Sequence, residues 1–275
     1  MRELLIYSLL PVLLIGAYIY KKDKNKEPKE IIKKLLIGGV FSAVIVVIVT
    51  FVLGNFIDIY AKEYNNLNNL ELVIYCYIVV ALTEESSKMF MLYKIGYKSK
   101  YYDESYDMLL YGGFIGLGFA AIENILYVAL GGTITALVRA FTAVPFHAML
   151  GVIMGYYLNR YHQTKNKTNI ILSLLIPVLL HGTYDYNAIS SQLQNANDFF
   201  NLAVIAGGLS VVLICVIRIL NFASKESKQD KENTNILIEN YIEEYCPNCG
   251  TKYELNFCKN CGRKRRWWLW KKENI

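Results

Sequence analysis

The stretch LELVIYCYIVVALTEESSKMFMLY, residues 70–93, decides the fold class. Its length suits a bilayer, whose hydrocarbon core takes about 20 helical residues to cross. Yet it carries Glu84, Glu85 and Lys88. An ionisable side chain at the centre of a span costs at least about 2.5–3.5 kcal/mol on insertion scales. An apolar segment that retains three such groups reads as a membrane helix with its polar face turned into a bundle.

Six further stretches of similar character flank it, at 4–20, 35–57, 108–129, 134–157, 170–189 and 199–220. The expected fold is therefore an all-α, polytopic membrane helical bundle of about seven spans, covering residues 1–222. Composition agrees. Of 275 residues 54% are apolar and 19% charged, with mean hydropathy +0.27. A soluble domain runs at about 45–50% and about 25%. These values exclude a disordered chain, a collagen-like chain and a small disulfide scaffold. The first stretch contains Pro11 and runs directly into Lys21 and Lys22 without a small-residue cleavage pattern. It reads as a retained helix rather than a signal peptide.

Net charge is +6, but its distribution argues against nucleic acid as a partner. Lys21, Lys22, Lys24, Lys26, Lys29, Lys33 and Lys34 follow the first span. Lys94, Lys98 and Lys100 follow the third, and Arg160, Lys165 and Lys167 follow the fifth. The opposite side has Arg2 and Lys62. Cytosolic loops are the basic ones. The expectation is a multi-pass cell-membrane protein with its N-terminus outside and its C-terminus in the cytosol.

Other spans also hold ionisable groups: Glu123 beside Asn124 in the fourth, Arg139 and His147 in the fifth, His181 and Asp185 in the sixth. At about 1.5 Å of rise per residue, Glu84, His147 and His181 lie about 14–17 Å from the basic ends, and Glu123 and Asp185 about 22 Å. Four helices thus offer ionisable groups at similar depth. His181 and Asp185 share a face at i and i+4, as do Glu84 and Lys88. Pro145 and Pro177 precede the two histidines and are expected to kink their helices, admitting water. Gly112 and Gly116, and likewise Gly151 and Gly155, form small-residue faces for close helix approach.

Peptide hydrolysis needs an activated water, a base and charge stabilisation. Histidine and carboxylate can hold a divalent metal with an open position, Zn²⁺ being the natural choice, while another carboxylate acts as base. Glu123, His147 and His181 are the candidate ligands, with Glu84 or Glu85 as base. Glu84 is preferred because it shares a face with Lys88. The same groups can also activate water without metal, and the residues leave both routes open. Similar clusters build ion paths in transporters, but no inverted repeat accompanies this one. A non-catalytic scaffold would not need Glu84, Glu85, His147 and His181 at one depth.

These motifs resemble the PrsW family of intramembrane proteases, within the wider CAAX-protease and Abi superfamily. The resemblance is carried by Glu84-Glu85-Ser86-Ser87-Lys88, by Phe119 to Glu123, by His147 after Pro145-Phe146, and by His181 to Asp185. It implies a helical-bundle endopeptidase that cuts a membrane-anchored protein within the lipid bilayer, such as an anti-sigma factor in envelope-stress signalling. It makes Glu84, Glu85, His147 and His181 the catalytic set, and the polar residues of the spans add Lys88, Glu123, Asn124, Arg139 and Asp185 as supporting candidates. The CAAX branch has His where this chain has Glu123, which disfavours prenyl-protein processing.

Beyond residue 222 the character changes. Residues 223–245 read as a polar linker with a short amphipathic helix. Within 246–262, Cys246, Cys249, Cys258 and Cys261 form two CxxC knuckles, a zinc-ribbon-like module for structural Zn²⁺ in the cytosol. Residues 263–275 are basic and hold all three Trp, a composition suited to a membrane interface.

Overall fold

The computed structural model describes residues 2–54, 67–193, 198–246, 248–252, 258–261 and 263. Lys62, Pro247, Gly262 and the basic-aromatic end beyond Arg263 lie outside them. Among the described residues the chain is helical, with one isolated bridge between Tyr245 and Lys252. It divides into a unit spanning Met1–Ser224 and a second spanning Lys225–Ile275.

In the first unit, α1 runs Arg2–Lys22 and α2 runs Lys29–Gly54. Helix α3, residues 69–97, is a composite. An α-helical turn Asn69–Ile74 leads into π-helix Tyr75–Leu82, α-helix Thr83–Met91 and π-helix Leu92–Tyr97. Asn68 starts it with a reciprocal cap, accepting from the Glu71 amide while Glu71 accepts from its own. π-Helical turns are rare and gather at functional sites; here they flank Glu84 and Glu85. Helix α4 spans Ser105–Phe141, α5 Ala143–Thr164, α6 Thr168–Leu193 and α7 Asp198–Glu244.

Four described segments are long and apolar enough to cross a membrane: Leu5–Lys22, Lys29–Leu53, Ser105–Thr164 (which contains α4 and α5) and Ala203–Lys228. Helix α3, broken into short pieces, and α6, diluted by the polar run around His181, are not among them.

Helix α4 sits at the centre. Its residues from Tyr106 to Ala120 are buried without interruption, packed by α1, α2 and α5. Glycine makes the tightest of these contacts possible. A Cβ on Gly112 would run into the backbone carbonyl of Gly151, and one on Gly116 into the carbonyl of His147. The small-residue faces read from sequence are therefore the α4–α5 seam, and the seam sets the position of His147.

The three basic loops meet at one end of this bundle. Asn25 donates to Glu104, the Tyr101 hydroxyl to Glu30 at 3.5 Å, and Gln163 to the Ser105 hydroxyl at 2.9 Å. At this end Asp107 accepts from the backbone amides of Asp103 and Glu104.

Three expectations need correction. The fifth span is not one helix from 134 to 157. Gly132 has φ 70° and ψ −157°, a conformation that needs glycine. The chain turns there, continues helically through 133–141, and breaks again at Thr142 before α5. Pro145 therefore does not kink a helix. It lies in the first turn of α5, where its missing N–H leaves no bond unmade. Finally, the expected linker after residue 222 is helical, because α7 continues to Glu244. Its Lys, Glu and Gln residues favour helix, and no Gly or Pro interrupts them.

Candidate active site

Glu84 and Glu85 lie in the first turn of the α-helical piece of α3 that follows its π-helical stretch. Both are buried, as is Lys88 one turn later, at 1% exposure. The Lys88 ammonium has three donors, and three acceptors surround it: Glu84 Oε2 at 3.2 Å, Glu85 Oε1 at 2.8 Å and His147 Nδ1 at 3.0 Å. It also lies 3.8 Å from the centre of the Phe119 ring. An ammonium only donates, so His147 Nδ1 must accept. Its Nε2–H then donates to Glu123 Oε2, at 2.7 Å.

His181 arrives from α6. Its Nδ1 lies 2.7 Å from Glu85 Oε1, and its Nε2 faces Asp185 at 3.4 Å and Glu84 at 3.8 Å. Asp185, one helical turn on, thus contacts the imidazole as their spacing suggested. The two imidazole rings meet edge to face, with centroids 5.2 Å apart. Gly182 keeps this face of α6 low, since a Cβ there would meet the Tyr77 ring.

Arg139 completes the set from beyond the turn that ends the fourth span. Its Nη2 donates to Glu123 Oε2 at 2.8 Å and its Nε to Asn124 Oδ1 at 3.0 Å. In a continuous helix, residues 16 apart would be separated by about 24 Å. The turn at Gly132 folds 133–141 back along α4 and closes that gap. Asn124 Nδ2 in turn donates to the Ser8 carbonyl of α1 at 2.9 Å.

Glu84, Glu123, His147, His181, Asp185, Arg139 and Tyr184 are among the residues that line a cavity of about 470 Å³. Glu85 does not reach it. Tyr75, Tyr127 and Ile189 place the cavity on the side of the cluster away from the basic loops.

Glu84, Glu85, His147 and His181 each offer a ligand atom, and all four atoms lie within 4.8 Å of one another. Two carboxylates and two imidazoles suit a divalent metal such as Zn²⁺ in donor chemistry. Glu85 Oε2 is buried with no hydrogen-bond partner, a free acceptor in the middle of the set. Four carboxylates against the cations of Lys88 and Arg139 also leave an excess of negative charge that a divalent cation or protons would balance. The residues therefore fit such an ion, although Lys88 already draws a lone pair from three of them. Glu123, expected among the ligands, instead pairs with His147 and Arg139.

In the second unit the sulfurs of Cys246, Cys249, Cys258 and Cys261 also form a cluster within 4.8 Å. Cys246 and Cys261 sulfurs are 3.5 Å apart, Cys249 and Cys258 3.4 Å, and Cys249 and Cys261 3.6 Å. A tetrahedron with Zn–S bonds of about 2.3 Å has edges of roughly 3.8 Å, so the spacing suits zinc. A disulfide, at about 2.05 Å, it does not suit. Gly250, with φ 67°, supplies the left-handed turn after the first knuckle, and its amide donates to the Cys246 carbonyl at 2.8 Å. Hydrogen bonding between Cys249 and Thr251 holds the Cys249 thiol down to about 6, toward the thiolate a metal needs.

Similarity to known proteins follows the bundle. A family model described as PrsW family intramembrane metalloprotease matches residues 27–220. Protease PrsW of Oceanobacillus iheyensis is 34% identical over 188 residues, covering 68% of this chain and 83% of that protein. Protease PrsW of Bacillus subtilis is 33% identical over 183 residues, covering 65% and 79%. Protease PrsW of Halalkalibacterium halodurans is 45% identical over 111 residues, covering 40% and 52%. No solved structure matches the chain. The cysteine cluster lies beyond the matched residues. The chain belongs to the PrsW family of intramembrane metalloproteases.

Proposed function

We propose that this chain hydrolyses a peptide bond of a membrane-anchored protein, an anti-sigma factor being one such substrate, and that Glu84 is the general base. The observation that carries this reading is the convergence of Glu84, Glu85, His147 and His181 within 4.8 Å, beside a cavity bordered by six ionisable side chains inside an apolar bundle.

Roles divide by what each side chain faces. Glu84 borders the cavity, where water and a peptide can stand, and its Oε2 is within reach of Lys88 and His181. It takes a proton from water as the oxygen attacks the scissile carbonyl carbon, then returns it to the leaving nitrogen. Glu85, fully buried, holds Lys88 and His181 in place instead. His147 is oriented by Lys88 on one nitrogen and Glu123 on the other. His147, through the Nδ1 that otherwise accepts from Lys88, would hold a divalent metal together with neutral His181 and Glu85, and the ion would polarise the carbonyl and acidify water. The basic loops face the cytosol, which puts the cavity on the outer side of the cluster and the cysteine module, holding structural Zn²⁺, inside the cell.

The test is cleavage of a single-span substrate by purified full-length protein in proteoliposomes. Glu84→Gln, His147→Ala and His181→Ala are each expected to lose at least about 10³-fold in rate while keeping their detergent-stable size. A well-folded Glu84→Gln, Glu85→Gln double variant that still cleaves would remove the mechanism. If Glu85→Gln is inactive and Glu84→Gln active, the base is Glu85.

A further inference from the structure

The helical segment 133–141 separates two cavities. On one side is the polar space that holds Glu84, His147 and His181, bordered by Ile134, Thr135, Val138 and Arg139 of this segment. On the other is an apolar cavity of about 820 Å³ between α1, this segment and α7, lined in part by Leu10, Leu14, Leu137, Phe141 and Leu209. Thr142 borders both. A substrate whose scissile bond lies in or near an apolar segment has to pass from lipid to the polar space, and this thin wall stands between.

The wall is lightly held. Ile134, Leu137, Val138 and Phe141 are 79%, 63%, 55% and 76% exposed, and Ala136 is its one buried apolar residue. Each end is a break in the helix, at Gly132 and at Thr142. Its polar attachment to the rest of the site is Arg139, which bonds Glu123 and Asn124 and stacks its guanidinium 4.1 Å from the Tyr127 ring centre. Glu123 Oε2 accepts from both Arg139 and His147. The attachment of the wall and the orientation of a catalytic imidazole therefore converge on one oxygen atom.

Resting on the protease reading above, we propose that segment 133–141 is a movable wall through which an apolar substrate segment enters, and that Arg139 is the positioning residue that sets Glu123 against His147 only when the wall is docked. Opening the wall withdraws Arg139 and frees Glu123 to turn from His147. Closing it behind the substrate restores the pair. Access and assembly of the site are then one event, so the cluster is incomplete while it is open to lipid.

The experiment uses purified full-length protein in proteoliposomes with a single-span substrate, comparing wild type with Arg139→Gln, Arg139→Lys and Gly132→Ala. Arg139→Gln should lower kcat by about 10–100-fold, the range for loss of a group that orients a ligand or catalytic histidine, with KM changed by less than about threefold. Arg139→Lys should regain at least about a tenth of the wild-type kcat, because it keeps one charged bond to Glu123. Amide hydrogen exchange gives a readout independent of cleavage. In wild type, residues 133–141 should exchange at least about tenfold faster than 147–157 of α5, and Arg139→Gln should widen the difference. Gly132→Ala, strained at φ 70°, should also quicken exchange in 133–141 while α5 stays protected. Slow exchange of 133–141 in both wild type and Arg139→Gln would overturn the movable wall. A kcat within about twofold of wild type in Arg139→Gln would overturn the positioning role, as would loss of protection throughout α5. If wild type cleaves no substrate at all, the protease reading fails, and the exchange arm still decides whether the wall moves.

Discussion

Gly116→Ala tests how far catalysis depends on one helix seam. A Cβ at this position would overlap the His147 carbonyl oxygen and lie 2.9 Å from its carbon and 3.3 Å from Ala148 Cα. Carbon atoms in contact prefer about 3.5–4.0 Å. Helices α4 and α5 must therefore part by on the order of 1 Å at His147. Overpacking of this kind costs about 1–3 kcal/mol. Removing a helical glycine returns about 1 kcal/mol. The net loss of stability is thus small, about 0–2 kcal/mol by this comparison. Activity should suffer far more, because a misplacement of about 1 Å can cost about 10²-fold in rate. His147 is held at both ring nitrogens, so its backbone cannot shift without loosening Lys88 or Glu123. The assay pairs cleavage kinetics in proteoliposomes with thermal unfolding in detergent. The control is Gly208→Ala on α7, where nothing lies within 4 Å of the added carbon. It should keep the wild-type kcat and gain up to about 1 kcal/mol in stability. Gly116→Ala with wild-type kcat and an unchanged melting temperature would refute the reasoning, since the seam would then not set His147.

Other outcomes follow from the same contacts. Lys88→Met strips the shared cation from two buried carboxylates and should destabilise the bundle by about 3–5 kcal/mol, seen as a lower melting temperature, with cleavage lost; wild-type stability would mean that Lys88 is not the charge partner described. Cys246→Ser with Cys249→Ser should lower zinc content by one ion per chain in elemental analysis, while cleavage of a short membrane-anchored substrate survives.

Much of this molecule was legible along the chain because the relevant patterns are local. Long apolar runs interrupted by Glu84, Glu85, Lys88, Glu123, His147 and His181 announce a membrane bundle with a polar interior. The pairing of His181 with Asp185, and of Glu84 with Lys88, follows from helical periodicity. The four-residue glycine spacing marks the α4–α5 seam, and the two CxxC pairs mark the sulfur cluster. Each of these depends on helix geometry or on a short turn, which neighbouring residues impose on their own.

Tertiary structure decided what depends on contacts between helices. Depth placed Glu123 near the histidines, but rotation about α4 turns its carboxylate to His147 Nε2 and Arg139 rather than into the Glu84, Glu85, His147 and His181 group. Helical spacing made Lys88 the neutralising partner of the Glu84 and Glu85 pair, and the approach of α5 adds His147 as its third acceptor. The gap between the fourth and fifth spans already implied a reversal at 130–133, but nothing in the sequence showed that the returning helix would break again at Thr142. The reversal occurs because folding back lets Arg139 meet Glu123, Asn124 and Tyr127, in place of an arginine left without partners in an apolar surrounding. A charge that must find its partner across space is settled by how the helices pack, which helical periodicity alone does not give.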